Sequence, residues 1–479
     1  MERHASLESI DALYDLVIIG AGPAGMRAAI EAGALGLTCL LVDQADQPGG
    51  QIYRAIGAAP AGRQALLGPD YRKGAALLAA LERAPVHYLP QATVWYLDAE
   101  PQIGIKAHGR SRMIRARRVL IATGAMERAM PIPGWTLPGV MFAGAAQIML
   151  KAHGLAPSGR SVLIGTGPLL WLLASQLVKA GSAPRLVIDT TPAANALRAL
   201  PASAGFLGSS YLRKGLGLLA GVRRSVPVIS GASGLRIDAG ADGALAVHFS
   251  QRGRAHSIPS DLVLLHQGVV PNANLARAAG CDFLWDETQA AFVPRQDDSG
   301  RSSVPAIWIA GDGAGIAGAI AAEKNGGLAA LAIAADLGRI PDHGAQALAD
   351  RLRRERDAAL RGRRFLDLFY RPPAEHRQGT EEAVICRCEE VSGHRIASAL
   401  DTLPISGPNQ LKAFLRCGMG PCQGRMCGLA VSETIAGKTG LGLDAVGYYK
   451  VRAPVVPINL GEIAGTPMGE EPKAVDGRR

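Results

Sequence analysis

Short apolar runs along this chain close repeatedly on glycine. Residues 16–19, 119–121, 162–164 and 307–309 are apolar throughout and lead into glycine-bearing turns, with further runs at 39–42, 186–188 and 262–265. Runs that are apolar at every position, not at alternate ones, suit strands covered on both faces, as in parallel sheets. Helical spacing separates them, so the pattern predicts an α/β protein assembled from βαβ units. The uncharged stretch 162–178 approaches the length of a membrane span, but Gly165, Gly167 and Pro168 put a strand-to-helix turn inside it. It reads as buried sheet and helix, and no transmembrane segment is expected.

The unit YDLVIIGAGPAGMRAAIEAGALGLTCLLVDQ is complete. Gly20 permits a tight turn, Gly22 lets the backbone approach a pyrophosphate, and Gly25 allows the helix to pack closely on the strand. The helix behind them aims its positive end at the phosphates. CLLVD supplies the second strand, and Asp43 stands where a carboxylate takes the adenosine ribose hydroxyls. A glycine-rich turn with no ligand would leave Asp43 unexplained.

The chain then repeats the unit in SVLIGTGPLLWLLASQLVKAG and RLVIDT, with Gly165, Gly167 and Asp189 in corresponding places. Leu170 stands where the third glycine belongs and is expected to crowd the helix against the strand. Two readings stay open: a working site for NAD or another adenine nucleotide, and a structural relic. If the site is filled, Asp189 favours NAD, because a carboxylate repels the 2′-phosphate of NADP.

Two distant segments extend the picture. Thr123 and Gly124 in VLIATGA, and Gly311 and Asp312 in AIWIAGD, resemble the ATG and GD motifs of glutathione-reductase-like flavoproteins. Gly50 and Gln51 in PGGQIYR resemble the loop beside the flavin in that family, and the run DLVLLHQGVVPN resembles the strand that closes its second domain. The resemblance implies FAD, with Asp312 on the ribityl chain and Glu323, Lys324 and Asn325 on a helix near the ring. No CxxC or CxxxxC precedes Cys386, so the dithiol chemistry of thioredoxin reductase is absent and only the fold is shared.

Five of the seven cysteines fall between Cys386 and Cys427, while Cys39 and Cys281 stand alone in apolar surroundings as core residues. Without a secretory leader such clustering points to metal ligation in a cytoplasmic protein. Cys386 and Cys388 form CxC; Cys417, Cys422 and Cys427 form two overlapping CxxxxC pairs. Glycines 418, 420, 424 and 428 are expected to give the loop room around a cluster and to offer N–H groups to its sulfurs. Four thiolates suit zinc or a 2Fe-2S cluster, and a flavin on the same chain favours iron, which accepts electrons singly.

Charge and composition change little. The chain has 479 residues, too many for one core, and carries a formal charge of +10, part of it in RLRRERDAALRGRR at 351–364. Leu352, Glu355, Asp357 and Leu360 within that run make it a helix with a solvated basic face, or else a surface for an acidic protein. With 5% aromatic residues and no recognition motif, nucleic acid is not an expected partner. His153, His266 and His394 are not at metal-ligand spacing and are expected to serve structural roles.

The set GAGPAG, GGQIYR, ATGAMER, PIPGWTLPGVMFAGAAQ, GTGPLLWLLA, GMGPCQGRMC and RAPVVPINLGEIA, spread over nearly the whole chain, resembles one group of bacterial enzymes. These are the larger electron-transfer (α) subunits of proline and D-hydroxyproline dehydrogenases, opine oxidases and hydrogen cyanide synthase, whose flavoprotein part precedes a bacterioferritin-associated-ferredoxin-like (BFD-like) domain. The resemblance implies a 2Fe-2S cluster on Cys386, Cys388, Cys422 and Cys427, with Cys417 as a spare candidate. It also implies a separate D-amino-acid-oxidase-like FAD-dependent catalytic subunit and a small ferredoxin-like subunit. The expected layout is an FAD-binding domain over 1–125 and 295–345 and a nucleotide-like domain over 126–294. A helical linker over 346–375, the BFD-like domain over 376–465 and a tail over 466–479 follow. A relay subunit, a self-sufficient NADH-dependent reductase and a redox-sensing assembly module compete as functions.

Overall fold

A computed structural model describes residues 1–340 and 342–466 of the chain, so the expected tail lies outside the described residues from 467 onward. The first fingerprint forms the centre of an eight-stranded sheet. Leu13–Ile19 lies between Cys39–Val42 and Arg110–Ile121, both parallel to it. His87–Leu89 and Glu2–Arg3 extend the sheet on one side, and Gln102–Ala107 and Thr93–Leu97 extend it on the other as an antiparallel meander. The chain leaves this sheet after Ile121 and re-enters it at Ile307–Ile309, parallel to residues 119–121.

Between those points runs a second, wholly parallel sheet in the order Val228–Ser230, Leu186–Asp189, Ser161–Thr166, Leu262–Gln267, Val140–Phe142. A three-stranded antiparallel sheet (Ser233–Ala239, Leu245–Gln251, Arg254–Ser260) packs beside it. Two short antiparallel strands, Ala125–Glu127 and Val269–Pro271, join the two parts. The α/β architecture of two dinucleotide folds is thus present.

The expected crowding at Leu170 does not arise. Its side chain is fully buried and joins Leu163, Trp171, Leu173 and Leu264 in the apolar layer between helix and sheet. In the first fold the helix Pro23–Ala34 is pressed much closer, because a Cβ on Gly25 would lie 1.8 Å from the Gly20 carbonyl oxygen. The outer helix Ala319–Asp336 approaches as tightly, with Gly326 lying against the Ala24 carbonyl.

The basic run spans the end of the helix Asp342–Leu360 and the start of the helix Arg363–Phe369; Ala349 and Leu352 of the first pack on Leu328 and Leu331. Arg353 and Arg356 both engage Asp298, and Lys324 reaches Glu355 at 2.9 Å. Much of the positive charge is therefore answered within the chain. The cysteine region is a small hairpin (Val384–Cys386 with Val391–Ser392) followed by the helices Gly393–Thr402, Pro408–Leu415 and Gly428–Thr439. Its core is continuous with the flavin fold: Ile385, Val391, Ile435 and Val455 belong to the same buried cluster as Leu97, Ile103, Ile105 and Ile114 of the meander.

Candidate functional site: a dinucleotide cradle beside a cysteine centre

Glycine makes the first cradle possible where a side chain cannot fit. Gly20 has φ +109, and a Cβ there would lie 2.4 Å from the Ala122 carbonyl oxygen. Gly50, at φ +58, faces Gly22 so closely that a Cβ would come within 2.8 Å of the Gly22 Cα. Two backbones thus meet with no side chain between them at the helix N-terminus, where N–H groups are unpaired and the field is positive. Asp43 accepts from the amides of Ala21 (2.5 Å) and Ala45 (2.7 Å). Burial pushes its carboxyl pKa up, and those two hydrogen bonds and Arg54 oppose the shift. Each of its oxygens keeps a second lone pair for a ribose hydroxyl.

The ATG and GD turns come together across the cradle. A Cβ on Gly313 would stand 3.4 Å from the Gly124 carbonyl oxygen, and Gly311, at φ +76, leaves room for Ala24. Thr123 Oγ1 donates to the Asn272 carbonyl at 3.3 Å. Asp312 Oδ1 accepts from the amides of Ala317 and Gly318, both at 2.9 Å, which fixes the carboxylate with Oδ2 left for a hydroxyl donor. Of the three helix residues placed near the ring, Lys324 turns away to Glu323 and Glu355.

Gln51 is held on both sides by cations whose part the sequence did not reveal. Arg54 donates to its side-chain oxygen at 3.2 Å, and Lys151 Nζ donates to its carbonyl at 3.0 Å and to Gln147 Oε1 at 3.0 Å. Lys151 is buried and, among the described residues, has no carboxylate partner; burial, with the Arg54 charge second, brings its pKa down to about 7. It sits on Ala143–His153, about a hundred residues from the loop it holds, and only the fold relates them.

In the second fold Gly165 and Gly167 keep the turn, at φ +144 and +118. A Cβ on Gly165 would lie 1.6 Å from the His266 carbonyl oxygen. Asp189 Oδ1 accepts from both the amide and the hydroxyl of Thr191, at 3.0 and 2.6 Å. His266 is buried and meets Glu127 at 2.6 Å, and Glu127 in turn accepts from the Gly144 amide. The expected structural role holds for His266, whereas His153 and His394 are exposed.

The five clustered cysteines divide into two groups. Cys386, Cys417 and Cys427 are buried, with sulfurs within 4.8 Å of one another, a spacing that suits thiolate ligation of one centre. Cys388 is exposed and Cys422 half-buried; burial first, and then the neighbouring Cys422 and Cys386 sulfurs, push the Cys388 thiol up. The predicted set of Cys386, Cys388, Cys422 and Cys427 is therefore split across the two groups, and the spare Cys417 lies inside the tighter one. Thiols of Cys417 and Cys427, with the amides of Gly418 and Glu389, pull Cys386 far below the ordinary cysteine range. The same contact pushes Cys417 up to about 12.

The loop glycines also make room for side chains from elsewhere. Gly418 and Gly424 leave room for the Tyr449 ring, Gly428 for Tyr448, and Gly420 for Cys388. Tyr448 and Tyr449, which no motif marked, thus roof the centre. Asn274 couples the loop to the flavin fold: its Nδ2 donates to the Gln423 carbonyl at 2.9 Å. Two residues earlier, the Asn272 amide donates to the carbonyl of Gly124, the last residue of the ATG motif, at 3.0 Å.

Comparison with known proteins gives a family for most of the chain. Residues 14–326 match the pyridine nucleotide-disulphide oxidoreductase family, and residues 392–466 match the sarcosine oxidase A3 domain. An opine oxidase subunit of Rhizobium meliloti is 46% identical over 97% of this chain and 90% of its own length. Hydrogen cyanide synthase subunit HcnB of Pseudomonas aeruginosa is 31% identical over 92% of this chain and 96% of its own. The crystal structure of L-proline dehydrogenase from P. horikoshii superposes with a TM-score of 0.69 at 19% identity, covering 96% of this chain and 80% of that one, a likeness of fold. Among the described residues no helix is long and apolar enough to cross a membrane. The chain belongs to the pyridine nucleotide-disulphide oxidoreductase family of FAD- and nicotinamide-binding proteins, and within it to the oxidoreductase subunits of multi-subunit flavoenzymes related to opine oxidase and hydrogen cyanide synthase.

Proposed function

We propose that this chain is the electron-relay subunit of a cytoplasmic, multi-subunit dehydrogenase acting on an opine-type or related amino-acid-derived amine. FAD is assigned to the cradle of Gly20, Gly22, Gly25, Asp43, Gly50, Gln51, Thr123, Gly124, Gly311 and Asp312, and a 2Fe-2S cluster to four of the five clustered cysteines. The observation that carries the reading is the hydrogen-bonded link through residues 272–274 between the ATG turn and the loop of Cys422. A flavin and a cluster so joined would supply a two-electron acceptor beside a one-electron carrier.

In this reading the chain's own residues bind and position. Backbone amides at the first helix take the pyrophosphate, Asp43 the ribose and Asp312 the ribityl chain, while Arg54 and Lys151 fix the Gln51 loop. Tyr448 and Tyr449 keep water from the buried sulfurs. The amine is oxidised on a partner similar to D-amino acid oxidase, with a small ferredoxin-like subunit completing the assembly, and electrons leave to a quinone or another external acceptor. The similarity to the opine oxidase subunit favours an opine over proline, hydroxyproline or glycine as the donor.

The test is native purification with bound partners, followed by anaerobic addition of octopine or nopaline. Bleaching of the flavin together with a reduced-cluster electron paramagnetic resonance signal is expected. Bleaching by NADH alone would instead favour a self-sufficient reductase, a reading supported by the intact turn at Gly165 and Gly167. A chain that binds neither flavin nor iron after reconstitution would remove both.

A further inference from the structure

Outside the cradle and the cysteine centre, arginines gather where the second nucleotide fold meets the segment entering the cysteine domain. A cavity of about 330 Å³ opens there, lined by Pro192, Asn195, Arg198, Arg371, Pro373 and Arg377 among others. A small-molecule site typically has a volume of this order, far more than one water or chloride ion needs. Gly165, Gly167 and Asp189 are not among its lining residues, although Pro192 and Asn195 lie on the segment that follows Asp189.

Too few carboxylates answer these cations. Arg371 Nη2 reaches Glu287 at 2.7 Å, but Glu287 is largely exposed, and the buried Arg371 Nε has no hydrogen-bond partner. Arg377 pairs with the buried Glu433, which Arg128 Nη1 also approaches at 3.8 Å. Arg128 Nε is likewise buried without a partner. Among the described residues no ion pair involves Arg198. Of the arginines lining the cavity, Arg377 is thus answered by a buried carboxylate, Arg371 by a solvent-exposed one and the exposed Arg198, among the described residues, by none. Burial, with repulsion from neighbouring arginines second, holds Arg128 and Arg377 at about 10, below the ordinary arginine range.

Partly buried like charges are costly unless something of opposite sign lies between them. The walls are also rigid. Pro192, Pro372 and Pro373 restrict the backbone, and Asn195 Nδ2 donates to the carbonyls of Phe369 (3.0 Å) and Arg371 (2.8 Å), tying the arginine segment to the nucleotide fold. The forked N–H groups of arginine match paired oxygens of carboxylate or phosphate.

We propose that this cavity binds a small dianionic oxyanion, a phosphate monoester or a dicarboxylate, held by Arg198, Arg371 and Arg377. The site is independent of the relay reading, since none of these residues lies in the cradle or the cysteine centre. An occupant would join the nucleotide fold to the segment leading into the cysteine domain and stabilise that junction by mass action.

The test is calorimetric titration of the full-length protein, in buffer free of phosphate and carboxylate, with inorganic phosphate and separately with succinate. Saturable one-to-one binding of either anion is expected, weakened about tenfold or more by Arg198→Gln or Arg371→Gln, as loss of a charge-assisted pair implies. Arg198 is exposed, so its variant reports even if the Arg371 variant fails to fold. Tighter binding of phosphate identifies a phosphate ligand, and tighter binding of succinate a dicarboxylate. No saturable binding of either anion, or binding unchanged in Arg198→Gln, would each overturn the proposal.

Discussion

At the scale of single residues, the cradle depends on atoms that are missing. With 1.8 Å between a Cβ on Gly25 and the Gly20 oxygen, no rotamer relieves Gly25→Ala, and the helix must shift off its strand. Flavin content of the purified variant, read from visible absorbance per chain, should fall at least about tenfold. Gly22→Ala meets no protein atom nearer than 3.9 Å, so the flavin it loses should report contact with the pyrophosphate, not displacement of the helix. Lys151 carries a pH signature. Its folded pKa of about 7 lies below the ordinary 10.5, so between those values the unfolded chain binds the extra proton. Stability should therefore rise with pH above about 7, and the penalty should be complete below it. Denaturant melts at pH 7 and pH 9 should differ by about 2 kcal/mol on this account, and Lys151→Met should flatten the difference. The glycines of the cradle were legible because each stands at fixed offsets from a strand. Lys151 was not, since a lysine on an amphipathic helix looks solvent-facing until the fold brings Gln51 against it.

At the scale of elements, the cysteine loop is ordered by partners from elsewhere. In reduced, metal-free protein, iodoacetamide should label Cys388 first and Cys422 next, while Cys386, Cys417 and Cys427 stay protected; a mass-spectrometric time course reads the order. Asn274→Ala removes a hydrogen bond of about 1 kcal/mol from Gln423, a residue at φ +51, and labelling of Cys422 should accelerate roughly fivefold. Iron content in Cys417→Ser and Cys422→Ser, compared side by side, decides the fourth ligand. If Cys417 is the spare, its variant should retain iron and the Cys422 variant should not. The sequence revealed the spacing of the cysteines but not the tyrosine roof. Gly418 and Gly424 look like flexible-loop residues until Tyr449 appears against them, and no local pattern links positions that far apart. Leu170 is the converse case: read against the glycine fingerprint it signals a defect, yet in three dimensions it fills the layer beneath the helix.

At the scale of the whole molecule, the alternation of apolar runs and helices was enough to foretell two dinucleotide folds, because buried parallel strands leave so plain a pattern. What the pattern could not convey is how the third part is attached. The Trp135 indole donates to the Val384 carbonyl at 2.6 Å, the Val455 amide to the Trp95 carbonyl at 3.0 Å, and one apolar cluster runs without a break from the meander into the cysteine region. That unbroken interior makes the C-terminal region a poor candidate for transplantation. Expressed alone, residues 376–466 would turn Ile385, Val391 and Val455 toward water and should be recovered as aggregate, whereas a fusion that retains the meander should stay monodisperse on gel filtration. A lineage seeking to discard or exchange its inorganic centre would have to redesign the oily underside of the flavin module at the same time, so this region should be inherited together with the strands it covers.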